Sequence, residues 1–150
     1  MWYNLNKRLI LTFGPPLIKL LGLSLPTIGS AVTIIEKDGK ILAVNLAYKN
    51  GYSLPGGGVN KGETLEEAVI REVKEETNLT LENPVYFGSE AADMKTYGVV
   101  SALFIGTVTD LTTLSSSTEG EVTWEDPRFV WENAAYKDVK KHLGNYFGFK

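Results

Sequence analysis

LPGGGVNKGETLEEAVIREVKEETNL, residues 54–79, sets a glycine-rich loop directly against an acidic, amphipathic segment. The second half predicts a helix. Thr64 is placed to cap the free amides, Glu67 three positions on completes a capping box, and Glu63, Glu66 and Glu67 suit the positive end of the helix dipole. Leu65, Val69 and Val73 recur every four residues and define a buried stripe, with Glu67 and Lys74 on the far side. Asn78 suits a left-handed C-terminal position. At about 100° per residue, Glu72, Glu75 and Glu76 share roughly one hundred degrees of arc beside that stripe.

Like charges at that spacing cost a few tenths of a kcal/mol per pair on an exposed helix, and a hard divalent cation would reverse the sign. On the helix alone, a solvated acidic face neutralised by Arg71 and Lys74 explains the pattern equally well. The loop tips the balance. Leu54-Pro55-Gly56-Gly57-Gly58 brings bare backbone to the start of the helix, where carbonyls or amides can approach a metal or a phosphate with no side chain in the way. Magnesium takes oxygen ligands, keeps several waters and bridges carboxylates to phosphate oxygens.

Upstream, the β-branched run Ile28 to Glu36, the turn residues Lys37-Asp38-Gly39-Lys40 and the apolar run Ile41 to Leu46 predict a hairpin. Tyr48 to Gly62, with one proline and five glycines, is expected to be loop or strand end. Downstream, Val85 to Ser89 and Gly98 to Thr109 read as strands, the second apolar enough to be buried on both faces. Leu111 to Gly120 reads as a loop, followed by a short strand at Val122 to Trp124 or at Phe129 to Trp131. A last helix buries Ala135, Val139 and Leu143, with Gly144 as its stop.

The chain has 150 residues, 43% of them hydrophobic and 11% aromatic, enough for one core. A net charge of −3 argues against nucleic-acid polymers and anionic lipid as general partners. With no cysteine, disulfides, thiolate metal sites and a cysteine nucleophile are excluded, and a cytoplasmic setting fits. Residues 1–25 form an apolar arm that Gly14-Pro15-Pro16 and Lys19 interrupt, so it reads poorly as a targeting or spanning segment. It is expected to pack on the domain or on a partner subunit, with peripheral membrane contact the lesser alternative, and residues 26–150 form the domain proper.

Gly57, Glu63, Arg71, Glu72, Val73, Glu75, Glu76 and Leu79 resemble the signature of the Nudix hydrolase family, G-x5-E-x7-R-E-U-x-E-E-x-G-U with U apolar; only Asn78 departs, where the family has glycine. The resemblance implies an α+β fold, an α/β/α sandwich with a mixed β-sheet between helices, over Ile28 to Leu143. It implies that Glu72, Glu75 and Glu76 ligate magnesium (Mg2+), or manganese (Mn2+), with the Gly56 carbonyl. Arg71, paired with Glu63, would hold loop and helix together. The implied reaction is hydrolysis of a phosphoanhydride bond in a nucleoside diphosphate linked to another moiety, by water attack at phosphorus. A catalytically silent nucleotide-binding module is the alternative, and a homodimer is what the family suggests.

Glu72 is one candidate for the base that activates water. The loop Ser117-Thr118-Glu119-Gly120-Glu121 supplies two others, of which spacing favours Glu119, itself a candidate metal ligand; each is equally well a solvated loop glutamate. Tyr48, Tyr52 and Tyr97 are candidates for contact with a nucleobase, and Phe87 and Trp124 could also stack, although aromatics usually serve the core. His142, at the end of the last helix, is expected to be solvated or to stabilise the helix dipole.

Overall fold

Asp38 and Gly39, both at positive φ (50° and 75°), turn β1 (Ile28–Lys37) tightly into β2 (Lys40–Leu46). The two strands pair only at the turn, Glu36 with Ile41 and Lys37 with Lys40. Earlier along the same edge, β1 pairs instead with β4 (Gly56–Gly58), from Ser30↔Gly58 to Val32↔Gly56. The sheet therefore forks beside β1. Along its other edge β1 runs parallel to β6 (Tyr97–Thr107), and β5 (Glu82–Met94) lies antiparallel outside β6. β3 (Tyr52–Ser53) and β7 (Gly120–Glu125) flank β2. This is the mixed sheet expected from the sequence. The computed structural model describes residues 28–94 and 97–150; the N-terminal arm, residues 1–25, and the Tyr97 side chain lie outside the described residues.

Strand alternation sends side chains to two cores. Ala31, Ile35, Leu42, Ala102 and Phe104 meet Ala68, Val69 and Val73 of α1 (Leu65–Thr77). On the opposite face, Val32, Ile34, Ala43 and Leu103 meet Val130 of α2 (Pro127–Glu132) and Val139 and Leu143 of α3 (Lys137–Phe147). Each fully buried aliphatic side chain contributes about 1.5–3 kcal/mol. The result is the expected α/β/α sandwich, with α1 on one side and α2 and α3 on the other.

Five local expectations are corrected. Leu65 stays 39% exposed, because α1 begins there at the margin of the sheet, whereas Val69 and Val73 are fully buried. Phe129–Trp131 is helical: the Asp126 carboxylate accepts from the Arg128 and Phe129 amides, and Pro127 occupies the first turn. Ala135 precedes α3 and pairs through its amide with the Tyr52 carbonyl. Gly144 does not end α3, which continues to Phe147 and stops at Gly148 (φ 74°); a Cβ at Gly144 would press first on the Phe149 carbonyl, at 3.3 Å, and then touch the Trp131 indole, at 3.4 Å. His142 is neither solvated nor at the helix end.

His142 is 2% exposed, and its Nε2 lies 3.1 Å from the Ser101 hydroxyl on β6. Burial lowers its pKa below the ordinary value, against the pull of Asp138 and Glu90. The folded protein therefore binds this proton less readily than the unfolded chain, and stability is full above pH 6.5 and is lost as pH falls through the lowered folded value. Urea titrations should show that loss in wild type; a His142→Gln variant with the same acid dependence would remove His142 as its source.

Candidate active site

Thr64 and Glu67 exchange the two hydrogen bonds of a capping box, and Asn78 (φ 58°) closes α1, so the helix that carries the acidic residues has fixed ends. Along it, Arg71 is the central fastener. Its Nε and Nη2 reach the Glu63 carboxylate at 2.7 and 2.9 Å, Nη2 donates to the Gly58 carbonyl at 2.9 Å, and Nη1 reaches Glu72 at 2.7 Å and Glu75 at 3.4 Å. One guanidinium thus ties helix, loop and β4 together.

Arg71 first, then the Asn60 amide, holds the Glu63 carboxyl at a pKa of about 2. A depressed carboxyl stabilises the fold above its unfolded value near 4.5, and that contribution disappears as pH falls toward 2. Glu63→Gln should accordingly melt at a lower temperature than wild type at pH 7, and the two melting curves should converge as pH approaches 2. A constant gap in calorimetry would show that the ion pair is not what Glu63 contributes.

Glu76 is the buried acid, 6% exposed, and its Oε2 accepts from the Gly56 amide at 2.9 Å. The Gly56 amide is thus the group that joins the glycine strand to the helix. Burial pushes the Glu76 carboxyl up to about 8 against that hydrogen bond, and the Glu119 and Glu72 carboxylates push the same way. Burial likewise raises Glu72, partly offset by Arg71. Glu75 points outward, its side chain 60% exposed. Among the described residues no three acidic side chains already form a ligand cluster, since Arg71 holds Glu72 and Glu75.

The fork beside β1 opens into a cleft of about 320 Å³. Gly56, Gly57, Gly58, Glu76 and Glu119 line its acidic part, and Tyr48, Leu46, Val99, Val139 and Tyr136 its aromatic and apolar part. Glu119 lines the cleft, whereas Glu121 lies in β7 opposite Asn45 and does not. Tyr48 is 65% exposed at the mouth, its hydroxyl 3.3 Å from that of Tyr136. Burial, the Tyr136 contact and the Glu119 and Glu76 charges raise its pKa. Tyr52 packs edge-on against Phe129 at 5.4 Å and stands apart from the cleft; Phe87 packs on Tyr146, and Trp124 joins the α1 core.

Tyr136 and Asp138, which line the cleft, escaped the sequence reading. Tyr136 directly precedes α3 and Asp138 is in its first turn. No periodicity marks them, because what brings them in is the packing of α3 across the open end of β1.

The NUDIX domain family model matches residues 26–143. A MutT-like protein of Streptomyces ambofaciens is 32% identical over 111 residues, covering 74% of this chain and 71% of that protein. An ADP-ribose pyrophosphatase of Methanocaldococcus jannaschii is 59% identical over 49 residues, 31% of this chain; the match spans only 29% of that protein's length. Among solved structures, the MutT protein of Methanosarcina mazei superposes with a TM-score of 0.69 at 26% identity, covering 84% of this chain and 96% of that one. With the family model matching most of this chain, and a glycine strand locked to an acidic helix by one arginine, the chain belongs to the Nudix hydrolase family.

Proposed function

We propose that the protein hydrolyses a phosphoanhydride bond in a nucleoside diphosphate linked to another moiety, such as a nucleoside triphosphate, a nucleotide sugar or a dinucleoside polyphosphate, with a divalent cation as cofactor. The observation that carries this reading is Glu76, a buried carboxylate at an open cleft with Glu72 and Glu119 beside it. A buried charge without a counterion costs several kcal/mol, so a fold keeps such a group where a cation supplies the missing charge. The oxygen-only donors fit magnesium or manganese; Glu76, Glu72 and Glu119, with the Gly56 carbonyl, would hold it, and Glu75, which Arg71 now holds outward, would turn inward to join them. When bound, the ion would neutralise the diphosphate and acidify a water.

The chain's own groups account for the remainder of the chemistry. Arg71 fixes Glu72 and β4 at constant separation, so the reacting phosphate meets a rigid frame. Water attacks phosphorus, the bond to the bridging oxygen breaks, and the attacking water's proton passes to a carboxylate, Glu72 or Glu119. Glu119 is the better placed of the two loop glutamates because it lines the cleft. The aromatic part, with Tyr48 and Tyr136, suits a flat nucleoside. The relative named ADP-ribose pyrophosphatase supports a substrate of this class. A net charge of −3 argues against nucleic-acid polymers and leaves small nucleotides as the expected partners.

The test is a panel of nucleoside triphosphates, nucleotide sugars and dinucleoside polyphosphates with magnesium or manganese, analysed by mass spectrometry. A nucleoside monophosphate and a second phosphorylated fragment are expected, with the solvent oxygen on one of them in 18O water. Tight binding with no product across the panel would overturn the hydrolase reading in favour of a silent nucleotide-binding module.

A further inference from the structure

The helical layer on the α1 face of the sheet is incomplete. α1 buries Ala68, Val69 and Val73 and turns its Arg71, Glu72 and Glu75 flank toward β4. Helical geometry then directs the opposite flank, Glu66 and Ile70, toward β6 and β5. There the sheet meets solvent through Val100, 45% exposed, Tyr86, 54% exposed, and the exposed Ser89 and Ala91. Register sets these side chains in rows. Gly29, Val100 and Ala91 form one, and Thr33, Phe104 and Tyr86 another, with the Tyr86 ring edge-on to Phe104 at 5.9 Å. Between α1 and β5 this makes a groove with an apolar floor.

We infer that residues 1–25 of the same chain dock in this groove. Delivery favours that occupant: the segment joins β1 at Ile28, opposite Val99 and one position from the Gly29 row. The Tyr86 row lies four strand positions farther, about 13 Å, which a few extended residues span. Composition agrees, since LILTF (9–13) and LIKLLGLSL (17–25) are apolar enough to cover an apolar floor. So does charge: Lys7, Arg8 and Lys19, with no acidic residue, give residues 1–27 a charge of +3 and leave −6 on the rest of the chain, with Glu66 at the groove.

The absence of cysteine makes the test clean in the 150-residue chain. Thr12→Cys is combined with Ser89→Cys in the groove or, as control, with Lys140→Cys on α3, whose neighbour Val139 lines the same cleft as Ile28. A short bismaleimide at high dilution should link the groove pair within one chain at least about ten-fold faster than the control pair. Adding Val100→Glu, a change at a half-exposed position, should bring the groove rate down to the control rate. Equal rates in the two pairs overturn the inference. So does a product of doubled mass, which assigns the groove to a second copy, and so does capture of the wild-type chain by phosphatidylglycerol vesicles while the groove pair stays unlinked.

Discussion

Glu76→Gln should lower turnover by about 10²–10³-fold while raising the thermal midpoint of the protein measured in EDTA. The two effects have one source. Glutamine keeps the shape of the side chain and an oxygen for the Gly56 amide, 2.9 Å away in wild type, but removes a carboxylate that is 6% exposed beside Glu72 and Glu119. Relief of that buried charge is worth of order 1–3 kcal/mol. The sign can be checked by pH: the Glu76 carboxyl is pushed up to about 8, so the metal-free wild type loses stability as pH rises from 4.5 through that value, and the advantage of the variant should grow over the same window and vanish below it. Loss of both activity and stability would make Glu76 a structural residue. Retained turnover would remove it from the chemistry altogether.

The parts of the site legible in the sequence are those fixed by short spacings. Thr64 with Glu67 and the Asp38-Gly39 turn lie within a few residues, where local backbone geometry decides who meets whom, whereas the Arg71–Glu63 pair followed from the family resemblance. The short helix at Pro127 was equally local, announced by an Asp-Pro start, but Phe129–Trp131 stood as one of two places for a strand that Val122–Trp124 supplies within β7. Other features depended on elements far apart in the chain. His142 finds its partner on Ser101, 41 residues away, so nothing near it signals burial. The cleft exists because β4 displaces β2 from one edge of β1, and only that fork brings Tyr48, Glu119 and Tyr136 to Glu76. Tyr52 illustrates the reverse: an aromatic beside the glycine loop in sequence, it is turned by β3 toward Phe129.

The three consecutive glycines of β4 should respond to alanine in three different ways. At Gly56 (φ 145°), a Cβ would run into the Ala31 carbonyl and the Val32 Cα of β1, backbone that the strand pairing holds in place. Gly56→Ala should therefore cost about 3 kcal/mol or more and be recovered poorly folded, if at all. At Gly57 the Cβ would meet the Glu72 carboxylate at 2.5 Å, and a side chain can move aside. Gly57→Ala should keep its circular-dichroism melt near wild type but displace Glu72 from Arg71, now at 2.7 Å, with turnover falling about 100-fold. At Gly58 nothing lies within 4 Å, so alanine should leave turnover unchanged and stabilise slightly, by about 0.4–1 kcal/mol, through the unfolded chain. A glycine needed only for flexibility would give the same result at all three positions. Wild-type turnover in Gly57→Ala would mean that the placement of the Glu72 carboxylate against bare backbone does not matter to the reaction, and the reading of this strand as one wall of the active site would fall with it.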